Sequence, residues 1–250
     1  MTPKNKDTLA LLAKNIAVEM HAHHAVQLVV SLDSAYPATL DGREFSTVRG
    51  FLIDRDVPHA CQSEHSTLLV TSVDAETVKG RKLRRILNRE RFRLIEEILP
   101  TAAIEDFTNS YKKVEQNAFD YSELLARLTE NGESPGEPDQ RIARAVDFVA
   151  DNIDTKFKIM DVAAAVNLSE SRLRHLFAEK VGISLSSYVL WTRMKLALKE
   201  LLKTNANLSD AAHRAGFSDH AHFTRNFRRM FGVPPSLLAR YVEFLQVFDL

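Results

Sequence analysis

The sequence predicts an α+β chain: a small β-barrel or sandwich, helices behind it, then an all-α domain built from two similar helix pairs. Three observations carry this. Short β-rich runs separated by turn signals fill residues 26–73. From Val78 onward the apolar period becomes helical. In the second half, one helical pattern recurs at an offset of 50 positions.

The first region is read from "VQLVVSL", "FLIDRDV" and "STLLVTSV", with "YP" and "DG" between them. β-branched residues suit a pleated, half-buried surface, and short strands at this spacing close into a small barrel or sandwich. Behind it, Ile104, Phe107, Tyr111, Val114, Ala118, Tyr121, Leu125 and Leu128 form a seam with steps of three and four. Such a seam packs either on the preceding helix "RKLRRILNRERFRLIEEIL" or on the same seam of a second chain. Residues 79–93 carry Lys79, Arg81, Lys82, Arg84, Arg85, Arg89, Arg91 and Arg93 against the single Glu90. Their bland reading is a solvated face; the alternative is a hold on DNA or on the acidic linker.

"ENGESPGEPDQ", Glu130 to Gln140, has two glycines, two prolines and nothing to bury, and reads as a linker. The expected division is therefore a barrel over 1–78, a helical and dimerising segment over 79–130, a linker over 131–139, and a helical domain over 140–250.

Bulk properties exclude several classes. No apolar run approaches the roughly 20 residues that span a bilayer, and the N-terminus lacks a signal-peptide core. The single cysteine, Cys61, cannot form an intrachain disulfide, and its expected place is a buried apolar one. A cytoplasmic location is expected. The net charge of zero hides an asymmetry: residues 1–139 hold 17 Lys and Arg against 22 Asp and Glu, whereas 140–250 hold 16 against 11. Only the second half is suited to a polyanion.

The repeat aligns "NLSESRLRHLFAEKVGIS" (Asn167–Ser184) with "FSDHAHFTRNFRRMFGVP" (Phe217–Pro234). Ser169 meets Asp219, each an N-cap able to accept from a free backbone N–H. Leu173 meets Phe223 and Phe177 meets Phe227, apolar positions four apart on one face. Gly182 meets Gly232, each suited to the left-handed conformation that stops a helix. Upstream, "DVAAAVN" and "DAAHRAG" each read as a short helix entering a tight turn, with Ala163 and Ala212 where a second helix crosses closely. Short helix, turn, capped helix is the helix-turn-helix unit, whose second helix enters a DNA major groove. The first copy should expose Glu170, Ser171, Arg172, Arg174 and His175. The second should expose His220, Ala221, Thr224, Arg225, Arg228 and Arg229, with no acidic residue from His220 to Gly232. Arginine can give guanine two bonds, and short polar side chains reach other base edges or phosphates.

Residues 140–240 resemble the DNA-binding domain of AraC/XylS-type bacterial transcription regulators, through "IMDVAAAVNLSESRLRHLFAEKVGIS", the connector "RMKLALKELL" and "GFSDHAHFTRNFRRMFGVPPS". The resemblance implies seven helices and two recognition helices entering successive major-groove segments. Its DNA-contact positions fall on Ser171, Arg174 and His175, then on His220, Ala221, Thr224 and Arg225; Arg172 and Arg228 lie beside them. It implies double-stranded DNA as partner, with a small-molecule effector, RNA polymerase and a second copy of the chain as further ones. Ala211 stands where the family usually has a bulkier aliphatic, and His222 where it often has tyrosine.

In the first half, "EMHAHHAVQ" sets His21 and His23 two apart, on one face if the segment is a strand. His59 follows Pro58, and His65 lies beyond. His-x-His with a distant third histidine is a metal-ligand pattern suited to zinc, iron or nickel. It also resembles the cupin barrel, with Gln27 where a cupin glutamate is expected; a neutral amide is the poorer ligand. AraC-type regulators commonly carry such a barrel without metal, as an effector pocket. That implies lining by His23, Gln27 and His59, with no metal or cofactor expected; His21, His23 and His59 are the residues that would hold an ion. The reading from another class, a cupin metalloenzyme with a helical appendage, needs three good ligands and an open coordination position. No Ser-His-Asp arrangement, phosphate-cradling glycine loop or paired-carboxylate motif stands in the sequence, so no enzymatic activity is expected.

Overall fold

A computed structural model describes residues 8–113, 122–130, 136–203, 207–217 and 219–248. The chain forms two compact units. One joins the N-terminal region through residue 134 to residues 227–248; the other spans 135–226.

The first unit is a near-closed antiparallel barrel of β1 (Thr8–His21), β2 (Ala25–Ser31), β3 (Tyr36–Leu40), β4 (Arg43–Val48), β5 (Gly50–Ile53), β6 (His59–Asp74), β7 (Phe92–Leu94) and β8 (Val242–Phe248). The sheet runs β4-β3-β6-β2-β5-β7, with β1 pairing both β6 and β8. The 16-residue β6 organises it. Thr71 lies opposite Ala10 on one side and Leu28 on the other, and further back Cys61 lies opposite Ala38 and Val18. The predicted "DG" turn joins β3 to β4, with Asp41 at φ 50° and Gly42 at φ 77°. Positive φ at both central residues gives the hairpin turn whose twist matches its strands.

Every residue of β2 is buried, so both its faces are covered. Val26, Leu28 and Val30 join one apolar cluster, while Val29 joins another with Tyr36, Phe51, Ile53, Val57 and Cys61. The period of two thus splits the strand between an outer and an inner core. The outer core is closed by helices: Leu83 and Leu87 of α1 (Val78–Leu87), Ile104 and Phe107 of α2 (Thr101–Lys113), and Leu124 and Leu125 of α3 (Ser122–Glu130). Tyr111 and Leu128 pack at its margin. The described part of the predicted seam therefore packs within the chain, the first of its two expected uses. Val114, Ala118 and Tyr121 lie outside the described residues, as do 131–135 of the expected linker.

Three elements depart from the sequence reading. The helix expected through "RKLRRILNRERFRLIEEIL" stops at Leu87, because Asn88 and Arg89 turn left-handed at φ 49° and 71°. Phe92–Leu94 then forms a strand on β5, with Leu94 opposite Phe51. An open strand edge has unpaired backbone groups to satisfy, and that demand outweighs a helical period. Thr8–His21, not assigned to a strand, forms a 14-residue strand. Val242–Phe248, in the span read as helical throughout, pairs with β1 from Thr8↔Phe248 to Ala13↔Val242.

Several of the basic residues after the barrel are used internally. Arg84 bonds Asp54 at 2.8 Å, Arg91 bonds Asp41 at 2.7 Å, and Lys82 donates to the Thr129 carbonyl at 2.7 Å. Cys61 is buried, and burial pushes its thiol up to about 12.

The second unit contains α4 (Gln140–Asp151), α5 (Ile159–Ala165), α6 (Glu170–Val181), α7 (Leu185–Lys203), α8 (Leu208–Arg214) and the start of α9 (His220–Phe231); α10 (Pro235–Tyr241) follows. Leu173, Leu176 and Phe177 of α6 pack with Ile142, Ala145 and Val149 of α4, Val162 and Ala163 of α5, and Tyr188 of α7. The 19 residues of α7 span about 28 Å at 1.5 Å per residue. Tyr188, Trp191, Met194, Ala197 and Leu198 along it are buried.

Candidate nucleic-acid interface and the barrel histidines

The two halves of the repeat have the same local construction. Ser169 accepts from the Arg172 N–H at 3.2 Å to start α6, and Asp219 accepts from the Ala221 N–H at 2.8 Å to start α9. The helices end at Gly182 (φ 89°) and Gly232 (φ 68°). Before each capped helix the turn holds one left-handed residue at the same place, Asn167 at φ 55° and Gly216 at φ 79°. Asparagine and glycine tolerate this conformation at little cost. The buried alanines Ala163 and Ala212 sit in the short helices as expected.

Burial sorts the faces. Leu173, Leu176, Phe177, Phe223 and Phe227 are at most 3% exposed. Ser171, Arg172, Arg174 and His175 on α6 are exposed, as are His220, Ala221, Arg225, Arg228 and Arg229 on α9. Thr224 is half-buried and its hydroxyl oxygen is covered, so its reach toward a ligand is shorter than the sequence alone indicates. Arg174 is held along its own helix by Glu170, Nε to Oε1 at 3.1 Å. An exposed pair of this kind is weak and leaves the guanidinium available for exchange. Arg228 is held instead by Glu19 of β1, Nε to Oε2 at 2.9 Å, within the barrel-bearing unit. The bond from Arg228 holds the Glu19 carboxyl below its ordinary range. Nothing in the sequence marked this pair, which joins residues far apart in the chain.

The barrel histidines come together as the His-x-His pattern anticipates. His21 lies opposite His59 in the β1–β6 register, and ring centroids are 4.1 Å apart for His21–His59, 5.1 Å for His23–His59 and 5.5 Å for His21–His23. All three are buried. Burial, together with mutual repulsion, lowers each of them to about 3, so the cluster is neutral at physiological pH. His59 Nε2 is 3.0 Å from Gln27 Oε1, and Gln27 Nε2 donates to Ser72 Oγ at 3.1 Å. The expected pocket residues His23, Gln27 and His59 are thus neighbours. His24 behaves oppositely: burial lowers it, but Asp56 and Glu76, at 3.6 and 3.4 Å, raise it overall.

A barrel followed by a domain with two capped helix-turn-helix units defines the class: a two-unit helix-turn-helix protein. Residues 162–241 match the family model described as "Helix-turn-helix domain". Over 115 residues the chain is 36% identical to the arabinose operon regulatory protein of Escherichia coli (strain K12), covering 45% of this chain and 39% of that protein. It is 34% identical over 95 residues to the lactose operon transcription activator of Staphylococcus xylosus, covering 38% and 34%. The matches thus span well under half the length of these curated relatives. The crystal structure of unsaturated fatty acid bound wild-type ToxT from Vibrio cholerae strain SCE256 superposes with a TM-score of 0.61 at 12% identity, over 97% of this chain and 98% of that one. At this identity the likeness concerns the fold, barrel first and helical domain second. The sequence likeness to a known family is therefore that of residues 162–241 to a helix-turn-helix domain. Among the described residues, no helix is long and apolar enough to cross a membrane.

Proposed function

We propose that this chain is a sequence-specific, double-stranded-DNA-binding transcription regulator, with α6 and α9 as its recognition helices. One observation carries the reading: two helices with matching caps, matching left-handed turn residues and matching buried positions each turn an arginine-bearing face to solvent. Ser171, Arg174 and His175 on α6, and His220, Ala221 and Arg225 on α9, are the base-facing candidates. Arg172 and Arg228 suit phosphates, and Thr224 contributes once its hydroxyl turns outward. The curated relatives, named as operon regulators, support this reading through the shared segment.

The working division is a barrel that senses an effector, a helical segment behind it, and a DNA-binding domain from residue 140. Around the barrel histidines, His23, Gln27 and His59 are the effector-facing candidates. A cytoplasmic, non-enzymatic protein acting as a dimer, with RNA polymerase as a further contact, fits this role. An effector would switch it only by binding two states unequally.

The test begins with a genome-wide map of bound sites, followed by binding to the recovered sequence. Arg174→Ala and Arg225→Ala should each cost about 1–3 kcal/mol, the worth of a good bidentate base contact. Full affinity in the double variant would refute base reading by these faces.

A further inference from the structure

We propose that the barrel binds one divalent late first-row metal ion, of the zinc, nickel and cobalt type, through His21, His23 and His59. Each offers a ring nitrogen, and these nitrogens all lie within 4.8 Å of one another.

The orientation of two of the rings carries the argument. His21 Nδ1 is 2.9 Å from the carbonyl oxygen of Glu19, and His59 Nδ1 is 2.9 Å from that of Val57. A carbonyl only accepts, so in both rings Nδ1 carries the proton. A neutral imidazole has a single N–H, so Nε2 of each carries the ring's lone pair; in His59 that nitrogen faces the Gln27 amide, 3.0 Å away. This is how a protein prepares a histidine ligand: the second nitrogen donates to a backbone carbonyl, which fixes the tautomer and the ring plane. Here the device occurs twice, each time with the carbonyl two residues before the histidine, on strands in register.

The donor set suits the ion. Three neutral imidazoles match zinc, nickel and cobalt, and leave further positions for water or another ligand. Tetrahedral coordination at metal–nitrogen lengths near 2.0–2.1 Å needs nitrogens about 3.3 Å apart. The three must therefore close by about 1.5 Å at most from the present limit. Gln27 Oε1, 3.0 Å from His59 Nε2, borders the same space. An amide oxygen there needs a donor; turned over, the amide donates its NH2 to the His59 Nε2 lone pair and accepts from Ser72, which agrees with the Nδ1 proton. The argument therefore rests on the Nδ1–carbonyl bonds of His21 and His59. It rests on no part of the DNA-binding reading.

The test uses the full chain, stripped with chelator and titrated with Co2+ alone. The expected result is one equivalent bound per chain, with visible d–d bands that added Zn2+ abolishes. The double variant His21→Gln/His59→Gln, checked for folding by far-UV circular dichroism, should lose more than the roughly 10–100-fold that removing an orienting partner costs. His65→Ala, at an exposed position, should bind as the parent does. A folded parent chain without saturable Co2+ binding overturns the site, as does undiminished binding by a folded double variant. If the double variant does not fold, the parent titration decides alone. A chain that binds Co2+ but no DNA would overturn only the proposed function.

Discussion

Arg228 of α9 closes on the carboxylate of Glu19 in β1 with two nitrogens of its guanidinium, Nε meeting Oε2 at 2.9 Å. A few residues on, the Glu19 N–H donates to the Gly232 carbonyl at 2.9 Å. A methyl group at Gly232 would come within 2.4 Å of the Glu19 carbonyl oxygen. A residue suited to a phosphate is thus paired with an internal carboxylate, and the chain approaches too closely there for any side chain at position 232.

Replacing Glu19 should release that cation. Glu19→Ala is expected to bind DNA more tightly at low salt. Its plot of log affinity against log salt should steepen by about 0.9, the increment for one added phosphate contact. Fluorescence anisotropy across a sodium chloride series reads this directly; a slope unchanged from the parent would mean that Arg228 makes no phosphate contact.

Gly216 gives a test of the repeat's turn. Its φ of +79° disfavours any side chain, and an added Cβ would lie 3.4 Å from the Arg193 guanidinium. Gly216→Val should cost about 1–2 kcal/mol, the penalty for the left-handed conformation, measured by urea denaturation. Asn167→Gly, at the equivalent position, should be nearly neutral. Equal losses at both positions would contradict the equivalence of the two turns.

Phe177 is fully buried in the core of the first repeat and stacks near Tyr188, with ring centroids 5.3 Å apart. Phe177→Ala removes that packing and leaves a cavity. A loss of about 3–5 kcal/mol is expected in the unfolding free energy. A loss under about 1 kcal/mol would show that the helices collapse around the gap.

The metal-free barrel should be acid-sensitive. His21, His23 and His59 titrate near 3 when folded, lowered from 6.5 chiefly by burial. Between these values the unfolded chain binds protons that the folded chain does not, so stability falls as pH drops from about 6.5 toward 3. Each group contributes up to about 1.4 kcal/mol per pH unit. His24, shifted upward, is protonated in both states below 6.5 and adds no slope there. Chemical denaturation of chelator-treated protein at pH 7, 6 and 5 measures the trend; a flat profile would contradict the burial of neutral imidazoles.

Most of the second unit was legible because its signals are local. The caps at Ser169 and Asp219, the stops at Gly182 and Gly232, and the four-residue spacing of Leu173–Phe177 and Phe223–Phe227 each act within a turn or two of helix. The His-x-His pattern was legible too, although β1 ends at His21 and His23 lies in the link to β2, so its place beside His59 is set by that link and not by strand alternation. The paths of Thr8–His21 and Val242–Phe248 were not. Their pairing joins opposite ends of the chain, and the sequence in each admits more than one backbone form.

The sequence by itself determined which faces are apolar, which are cationic and where each helix of the repeat begins and ends, because those depend on neighbouring residues and backbone preference. Tertiary structure decided what occupies each polar group. It assigned Arg228 to Glu19 and Arg84 to Asp54. Such choices depend on which strand edges must be paired and which charges then meet, and no short stretch of the chain contains both partners.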